Sequence, residues 1–365
     1  MKTLCWMTLV ANCKAHMPDI MIIKKRLTLL SASFLFLCLL ISGCTPSGTE
    51  RPSVKFSGQT MGTHYHITVV GPASGEFEVN VDALQSAVDE QLVQINQMMS
   101  TYIDDSELMQ FNREPVNEWV ELSEPVMEVL SISEDISQRS YGAFDITVGP
   151  LVNLWGFGPQ MQPDRVPGPD ELAAALARTG HEYLQLDVNR ARRTANISVD
   201  LSAVAKGYGV DWIANFLTDR GFDNFMVEIG GEVRVVGDSP RSTPWRIAIE
   251  QPSVLAGGAR LALNVDNHAV ATSGDYRNYF EVDGVRYSHT IDPKTGRPIK
   301  HNLASVTVVA ETAARADAWA TALNVLGPEK GMELANAEQL AVYMIVKDGD
   351  GFVDTQSVTF SQLLH

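Results

Sequence analysis

The positions of the cysteines constrain this chain more than any other feature. All four, Cys5, Cys13, Cys38 and Cys44, lie within the first 44 of its 365 residues. No disulfide can form in the sequence after Cys44, so a packed apolar core must hold the fold together. The remaining length is ample for such a core, arranged as one large domain or as two intimate ones.

The N-terminal segment predicts a secretory signal. A basic cluster at 24–26 precedes a nearly unbroken apolar run from 27 to 41. A membrane-spanning helix needs about 20 apolar residues, whereas a basic segment followed by a shorter apolar run is typical of a signal peptide. The run ends in Ile-Ser-Gly-Cys at 41–44, which resembles the bacterial lipobox, where cleavage precedes a cysteine that then carries a lipid. The alternative is an ordinary membrane anchor with a chance cysteine.

These features divide the chain into four expected segments. Met21 directly precedes a normal signal sequence, so we expect the natural chain to start at Met21 and 1–20 to be a mis-assigned extension outside the fold. Residues 21–43 are the predicted lipoprotein signal peptide. Residues 44–55 begin at the predicted lipidation site, Cys44, and are rich in Ser, Thr, Gly and Pro, which is typical of a tether. Residues 56–365 are the predicted folded domain.

The net charge of the chain limits the classes of partner that it can bind. Cleavage before Cys44 would remove five basic residues and one acidic residue, leaving 23 basic and 43 acidic residues and a net charge of −20. This charge argues against nucleic acid or an anionic bilayer surface as a partner. A site for a phosphorylated ligand would need a metal ion or a run of backbone amides to overcome the repulsion.

Periodicity in the sequence predicts a mixture of helices and strands. The predicted helices are Val81–Met99, Ser123 to about Gly142, Pro169–Thr179, Lys206–Arg220 and Ala313–Leu326. The predicted strands are Thr63–Val70, Tyr183–Asp187, Asn196–Leu201, Phe225–Ile229, Glu232–Val236, Trp245–Glu250, Arg260–Val265 and Ala341–Lys347. Hairpin turns such as Asp283-Gly284, mixed with helices and without regular βαβ alternation, predict an α+β fold. The long loop 156–168 is expected to cover something.

Three segments place small or hydroxyl residues next to predicted elements. Asp-Leu-Ser-Ala-Val-Ala-Lys-Gly-Tyr at 200–208 carries a strand directly into a helix. Amides at a helix N-terminus bind anions well, although a tightly packed strand–helix joint would have the same sequence. Ala-Thr-Ser-Gly-Asp-Tyr at 271–276 is a hydroxyl cluster after a strand, and Ala-Phe-Asp-Ile-Thr-Val-Gly-Pro at 143–150 follows a helix end.

The segment His-Thr-Ile-Asp-Pro-Lys-Thr-Gly at 289–296 predicts a tight turn, because Asp-Pro is followed three residues later by glycine. Such a turn would present His289 and Asp292 on one surface. A histidine beside a carboxylate is what activation of a hydroxyl by a general base requires. Alternatively, Asp292 only caps the turn and His289 is a satisfied strand residue.

Carboxylate and imidazole groups give two candidate metal sites. Asp317 and Thr321 lie at i and i+4 of an Ala-rich helix and share a face, where their oxygens would suit Mg²⁺. The alternative is a surface Asp, although the Ala-rich setting indicates burial, which is costly for an unpaired carboxylate. His64 and His66 alternate on a predicted strand, and we assign them to its surface because no third ligand has matching spacing.

Taken together and in this order, these segments resemble the FAD:protein FMN transferase family, the ApbE-type flavin transferases. The similarity runs from about Phe56 to Phe360 and includes Gly-Gln-Thr-Met-Gly-Thr at 58–63. The resemblance implies a T-fold-like arrangement of mixed or antiparallel sheets packed with helices. It also implies Mg²⁺-dependent transfer of FMN from FAD to a threonine or serine hydroxyl of an acceptor protein, with release of AMP.

The resemblance also implies a role for individual residues. The implied FAD contacts are Met61, Tyr102, Ala143, Phe144, Asp145, Asp200, Lys206 and Ile291. The implied Mg²⁺ ligands are the carbonyl of Ala203 and the side chains of Asp317 and Thr321. His289 falls at the family's base, and we expect Asp292 to assist it.

The acceptors in that family are periplasmic flavoprotein subunits of Nqr- and Rnf-type redox complexes. We therefore expect a lipid-anchored enzyme on the periplasmic side of a bacterial membrane, with the inner membrane favoured. Three alternatives stay open at this point. They are an Mg²⁺-dependent FAD pyrophosphatase that uses water as acceptor, a flavin-binding lipoprotein without turnover, and a transporter's substrate-binding lipoprotein, which would show two βαβ lobes.

Overall fold

The computed structural model describes residues 50–159, 165–252, 258–274 and 279–364. The extension 1–20, the signal peptide 21–43, Cys44 and the tether up to residue 49 lie outside the described residues. Asp275 and Tyr276 of the hydroxyl cluster, and 160–164 of the long loop, lie outside them too. The predictions for these segments stay predictions.

The described chain contains many short strands, of which eight form the central sheet. In chain order they are β1 Ser53–Thr60, β2 Thr63–Val70, β3 Val120–Glu121, β4 Leu184–Asp187, β5 Arg190–Arg193, β6 Phe225–Ile229, β7 Glu232–Val236, β8 Trp245–Glu250, β9 Ala259–Val265, β10 Ala269–Gly274, β11 Tyr279–Val282, β12 Val285–Ser288, β13 Ile291–Asp292, β14 Arg297–Pro298, β15 Leu303–Ala310, β16 Ala341–Asp348 and β17 Gly351–Gln356.

Helices alternate irregularly with these strands. They are α1 Val81–Met99, α2 Glu107–Arg113, α3 Glu124–Arg139, α4 Gly149–Leu154, α5 Pro169–Leu176, α6 Ala205–Asp219, α7 Ala313–Leu326, α8 Pro328–Ala337 and α9 Val358–Leu363. Among the described residues, no helix is both long enough and apolar enough to span a bilayer.

The central sheet has the strand order β1-β2-β6-β7-β10-β15-β16-β17. Each neighbouring pair in it is antiparallel. The hairpins β8–β9, β11–β12 and β13–β14 and the small sheet β3-β5-β4 surround it. The predicted α+β class is therefore confirmed.

Both faces of the central sheet are covered. On one face, alternate residues of β2 and β6 pack against apolar side chains of α1 and α6, such as Leu84, Val88, Ile213 and Leu217. On the other face, the β8–β9 hairpin and Phe360 of α9 cover β7, β10, β15 and β16. Each fully buried leucine or isoleucine stabilises such a core by about 1.5–3 kcal/mol relative to its exposed state.

Most of the predicted elements are present with nearly the predicted ends. The structure has the predicted helices Val81–Met99 and Ala313–Leu326 and the predicted strand Thr63–Val70 without any shift. The helix predicted to run to Gly142 ends at Arg139, and the helix predicted to run to Thr179 ends at Leu176. Strand β1 begins at Ser53 and pairs with β2, so it includes the last residues of the predicted tether.

The predicted strand Asn196–Leu201 is wrong. The sheet strand in this region is Arg190–Arg193 instead, and 196–201 belongs to no strand. Side chains satisfy its backbone: Asn112 donates to the Val199 carbonyl and accepts from the Val199 N–H, both at 2.8 Å. The Arg193 guanidinium donates to the Ile197 carbonyl at 2.7 Å. Because these contacts replace a neighbouring strand, the β-branched pattern alone predicts a strand that the structure does not have.

Candidate active site

One cavity of about 690 Å³ brings together most of the residues singled out in the sequence. The predicted site residues that line it are Tyr102, Asp145, Asp200, Ala203, Lys206, His289, Ile291, Asp317 and Thr321. Met61, Ala143, Phe144 and Asp292 do not line it. The described start of the long loop lines it through Phe157, Gly158 and Pro159, as expected for a covering loop.

The packing of α6 against α7 determines one side of the cavity. Gly207 lies in the first turn of α6, where an added Cβ would approach the Ala313 carbonyl oxygen to 2.3 Å, so only glycine permits this contact. The Asp211 carboxylate on α6 accepts hydrogen bonds from the N–H groups of Ala313 and Ala314 at 3.0 and 2.9 Å. It thereby satisfies free donors at the start of α7. The two helices are thus held with Lys206 facing Asp317.

Three charged side chains, which we call the charged wall, form that side of the cavity: Lys206, Glu232 and Asp317. The Lys206 Nζ atom lies 3.0 Å from Glu232 Oε1 and 3.7 Å from Asp317 Oδ2. Burial raises the pKa of Asp317, and Lys206 offsets only part of this. Burial also raises the pKa of Glu232, to about 7, although the positive charge of Lys206 lowers it. Burial alone would lower the pKa of Lys206, but the two carboxylates outweigh it, so the net shift is upward.

The predicted Mg²⁺ ligands fit a hard cation. Asp317 and Thr321 both line the cavity from α7, and Ala203 lines it just before α6. Asp317 is 3% exposed, and its Oδ2 accepts from the Gly207 N–H at 3.1 Å. In the described part of the chain, no cluster of three or more His, Cys, Asp or Glu is placed to hold a metal. One carboxylate with neutral oxygens suits Mg²⁺, which usually keeps several waters and binds substrate phosphates.

Two further carboxylates are held rigidly at the cavity. Asp145 Oδ1 accepts from the Thr147 N–H and hydroxyl at 2.7 and 2.6 Å, and Oδ2 accepts from the His181 N–H at 3.0 Å. Burial raises the pKa of Asp145 despite these hydrogen bonds, which lower it. Asp200 Oδ1 accepts from the Ser202 N–H and hydroxyl at 2.9 and 2.5 Å. Both side chains are therefore fixed acceptors for hydroxyl or N–H donors of a ligand.

A stack of aromatic rings reaches the cavity through Phe157 and His289, which both line it. Ring centroids of Trp155 and Tyr287 lie 5.5 Å apart, Tyr287 and Phe280 5.2 Å, and Phe280 and Phe157 5.3 Å. Phe157 then meets the His289 ring edge-on at 6.3 Å. These distances are typical of favourable aromatic pairs. We call Trp155, Phe157, Phe280, Tyr287 and His289 the aromatic wall.

The turn after His289 has the predicted form. Asp292 Oδ1 accepts from the Lys294 N–H at 2.9 Å and Oδ2 accepts from the Thr295 hydroxyl at 3.0 Å. The Gly296 carbonyl accepts from the Trp155 indole N–H at 2.7 Å, which ties the turn to the aromatic wall. Asp292 thus caps its own turn, as in the alternative weighed from the sequence, while His289 faces the cavity.

The remaining predicted residues lie behind or beside the cavity. Ala143 and Phe144 are buried in the core at 4% and 1% exposure. Met61 adopts a positive φ of 49° and packs against Gly209 of α6. His64 and His66 lie on β2, as assigned, and the His66 ring contacts the Glu228 carboxylate at 2.6 Å.

Sequence reasoning missed Glu228, Glu232 and Phe157. Glu232 is buried at the start of a strand whose other residues are apolar except for Arg234, directly after Gly230-Gly231. This was the available signal, since an acid at the start of a core strand is unusual. Glu228 lies on β6 and lines the cavity, but it carries no such signal. Phe157 belongs to the covering loop, whose partners come from residues more than a hundred positions away.

Similar proteins share this sequence over most of its length. A profile of the ApbE family matches residues 61–344. The FAD:protein FMN transferase of Vibrio cholerae is 46% identical over 330 residues, which cover 89% of this chain and 96% of the relative. The FAD:protein FMN transferase of Klebsiella pneumoniae is 40% identical over 348 residues, covering 93% and 98%.

Solved structures agree with the sequence matches. The flavin transferase ApbE from Vibrio cholerae has a TM-score of 0.79 at 44% identity, covering 86% of this chain and 99% of that one. The apo form of the Pseudomonas stutzeri flavinyl transferase ApbE has a TM-score of 0.79 at 40% identity, covering 87% and 98%. The resemblance drawn from the motifs is therefore confirmed.

Proposed function

Since the chain belongs to the ApbE family, and is thus an enzyme of the FAD:protein FMN transferase type, we propose that it transfers FMN from FAD to a threonine or serine hydroxyl of an acceptor protein, with Mg²⁺ bound and AMP released. The observation that carries this proposal is the meeting of the two walls at one cavity. His289, Lys206, Asp317 and Thr321 all line it.

The charged wall would bind the pyrophosphate of FAD. Asp317, Thr321 and the Ala203 carbonyl would hold Mg²⁺, which supplies charge neutralisation at the departing phosphate. Lys206 would add a second positive charge on the same side. This local charge answers the difficulty that a strongly acidic chain has in binding a dinucleotide.

The aromatic wall would position the proton acceptor. His289 takes the proton from the acceptor hydroxyl as its oxygen attacks the FMN phosphorus. A new P–O bond forms between the acceptor oxygen and the FMN phosphorus, and the bond from that phosphorus to the bridging oxygen breaks. AMP leaves with the bridging oxygen and the electron pair of the broken bond. Asp145 and Asp200 would orient the flavin nucleotide through its hydroxyl or N–H donors.

The N-terminal sequence sets the expected location. We propose that Cys44 carries the lipid after cleavage of 21–43, and that the 44–55 segment tethers the enzyme on the periplasmic side of the membrane. Flavoprotein subunits of Nqr- or Rnf-type complexes would be its acceptors there. The ISGC sequence supports the anchor, and family membership supports the acceptors.

The proposal is tested by incubating the purified protein with FAD, Mg²⁺ and such an acceptor subunit. The intact mass of the acceptor is then measured. The expected result is a mass gain of one FMN on the acceptor, equal release of AMP, and loss of both when EDTA removes the metal. Free FMN and AMP with an unchanged acceptor would instead indicate FAD hydrolysis. FAD that stays intact would contradict catalysis altogether.

A further inference from the structure

Glu232 is the one member of the charged wall that the sequence motifs do not include. It opens β7 directly after the Gly230-Gly231 turn and is 4% exposed. Its two carboxylate oxygens differ. Oε1 lies 3.0 Å from Lys206 Nζ, whereas Oε2 is buried without a hydrogen-bond partner among the described residues. Burying a carboxylate oxygen without a hydrogen-bond partner costs free energy, so the presence of Glu232 at this position calls for a role in the site.

The surroundings of Lys206 hold its ammonium group on the side of Glu232. Gly230 adopts a positive φ of 63°, and an added Cβ there would lie 3.4 Å from Lys206 Cδ. The side-chain stem of Lys206 therefore lies along this turn. The Nζ atom is within hydrogen-bond distance of Glu232, but its distance of 3.7 Å to Asp317 Oδ2 exceeds that of a hydrogen bond.

From this geometry we infer that Glu232 is a positioning residue that holds Lys206 away from Asp317 and so keeps the Asp317 carboxylate available to a divalent cation. The inference rests on the metal site of the proposed function. An ammonium group that reached Asp317 would compete with the cation for the same oxygens, because both carry positive charge into one buried position. Glu232 would prevent this by offering Lys206 a nearer partner.

The test is the affinity of the protein for Mg²⁺ alone, measured by isothermal titration calorimetry without FAD. In Glu232→Gln, Lys206 loses its charged partner and moves to Asp317. We expect the Mg²⁺ affinity to fall by about 10- to 100-fold, as is typical when an outer partner of a metal site is removed. Glu338→Gln is the control, since it removes a carboxylate that pairs with Arg139 and does not line the cavity, and it should change the affinity by less than about twofold.

A double-mutant cycle separates the action through Lys206 from a direct effect of the carboxylate. With Lys206→Met in both proteins there is no ammonium group to restrain, so Glu232→Gln should then change the Mg²⁺ affinity by less than about threefold. An equal loss in both backgrounds would overturn the inference, because Glu232 would then act through its own charge or bind the cation itself.

Two other outcomes have distinct meanings. An unchanged affinity in Glu232→Gln, with normal Mg²⁺ binding by the unmodified protein, would overturn this inference and leave the proposed function intact. A failure of the unmodified protein to bind Mg²⁺ would contradict the metal site of the proposed function, and the inference with it. Thermal unfolding of each variant shows whether a loss of affinity reflects a loss of fold.

Discussion

The two walls of the cavity are built in different ways. The charged wall rests on regular elements, since Lys206 and Asp317 lie on helices that Asp211 and Gly207 hold together, and Glu232 opens a strand of the central sheet. The aromatic wall rests on loops and hairpins, whose rings stack on one another between Trp155 and His289. Helix and sheet positions are over-determined by the core, whereas loop positions depend on a few contacts.

This difference indicates that the two walls have different roles in the reaction. A rigid wall suits the binding of a metal and a pyrophosphate, where small displacements are costly. A wall of loops suits the side where an acceptor protein must approach the reacting phosphorus. If that division is correct, changes to one wall should alter metal binding and changes to the other should leave it intact.

The largest effect is expected for Asp317→Asn in the charged wall. The amide can still accept from the Gly207 N–H, so the fold should persist, but the carboxylate ligand of the metal is lost. Because a metal ion contributes several kcal/mol to transition-state stabilisation, we expect the rate of FMN transfer to fall by about 10³-fold. Acceptor mass against time measures this. A rate within about tenfold of the unmodified protein would contradict a metal site at Asp317.

The next effect is expected for His289→Gln in the aromatic wall. Loss of a general base lowers the transfer rate by about 10²- to 10⁴-fold. Mg²⁺ affinity, measured by calorimetry, should stay the same, because His289 is not among the proposed Mg²⁺ ligands. The matched control is His268→Gln, which lies outside the cavity and bonds to the Asp266 carbonyl. Joint loss of transfer and Mg²⁺ binding in His289→Gln would break the distinction between the walls.

The third prediction concerns the stability of the α6–α7 contact that supports the charged wall. In Gly207→Ala the new Cβ meets the Ala313 carbonyl oxygen, which must move. We expect the free energy of unfolding to fall by about 1–3 kcal/mol, as for overpacked sites, together with weaker Mg²⁺ binding. Urea denaturation measures the first quantity. Gly351→Ala is the control, since its nearest neighbour would lie at 3.6 Å and its stability should change by less than about 1 kcal/mol.

The smallest effect is expected for Phe157→Leu. The edge-on contact with His289 is lost, and aromatic pairs are worth about 0.5–1.5 kcal/mol, so transfer efficiency should fall by about 2- to 10-fold. Steady-state kinetics with FAD as the varied substrate measures this, and Mg²⁺ affinity should not change. Phe216→Leu, on α6 and outside the cavity, should leave both quantities as they are. A larger loss than that of His289→Gln would show that Phe157 has another role.

Sequence patterns and motifs identified Lys206 and Asp317 of the charged wall, although not Glu232, and did not reveal the ring contacts of the aromatic wall. The ends of α1 and α7 follow from apolar periodicity and caps, and the helical spacing of Asp317 and Thr321 placed both on one face. The Asp-Pro turn also took its expected form. The contacts of Phe157 with Phe280 and His289 join distant parts of the chain, and no local sequence pattern predicts them. For the same reason the sequence wrongly predicts a strand at 196–201, whose backbone bonds to the side chains of Asn112 and Arg193.

The most direct test of the account is a crystal structure of the protein with FAD and Mg²⁺ after brief incubation without an acceptor. We predict Mg²⁺ bound to Asp317, Thr321 and the Ala203 carbonyl, with the pyrophosphate beside Lys206. The FMN phosphorus should face His289 across a gap that one hydroxyl can fill. Mg²⁺ bound elsewhere, or a flavin nucleotide with its phosphorus turned away from His289, would contradict the claim that the two walls act on one phosphate.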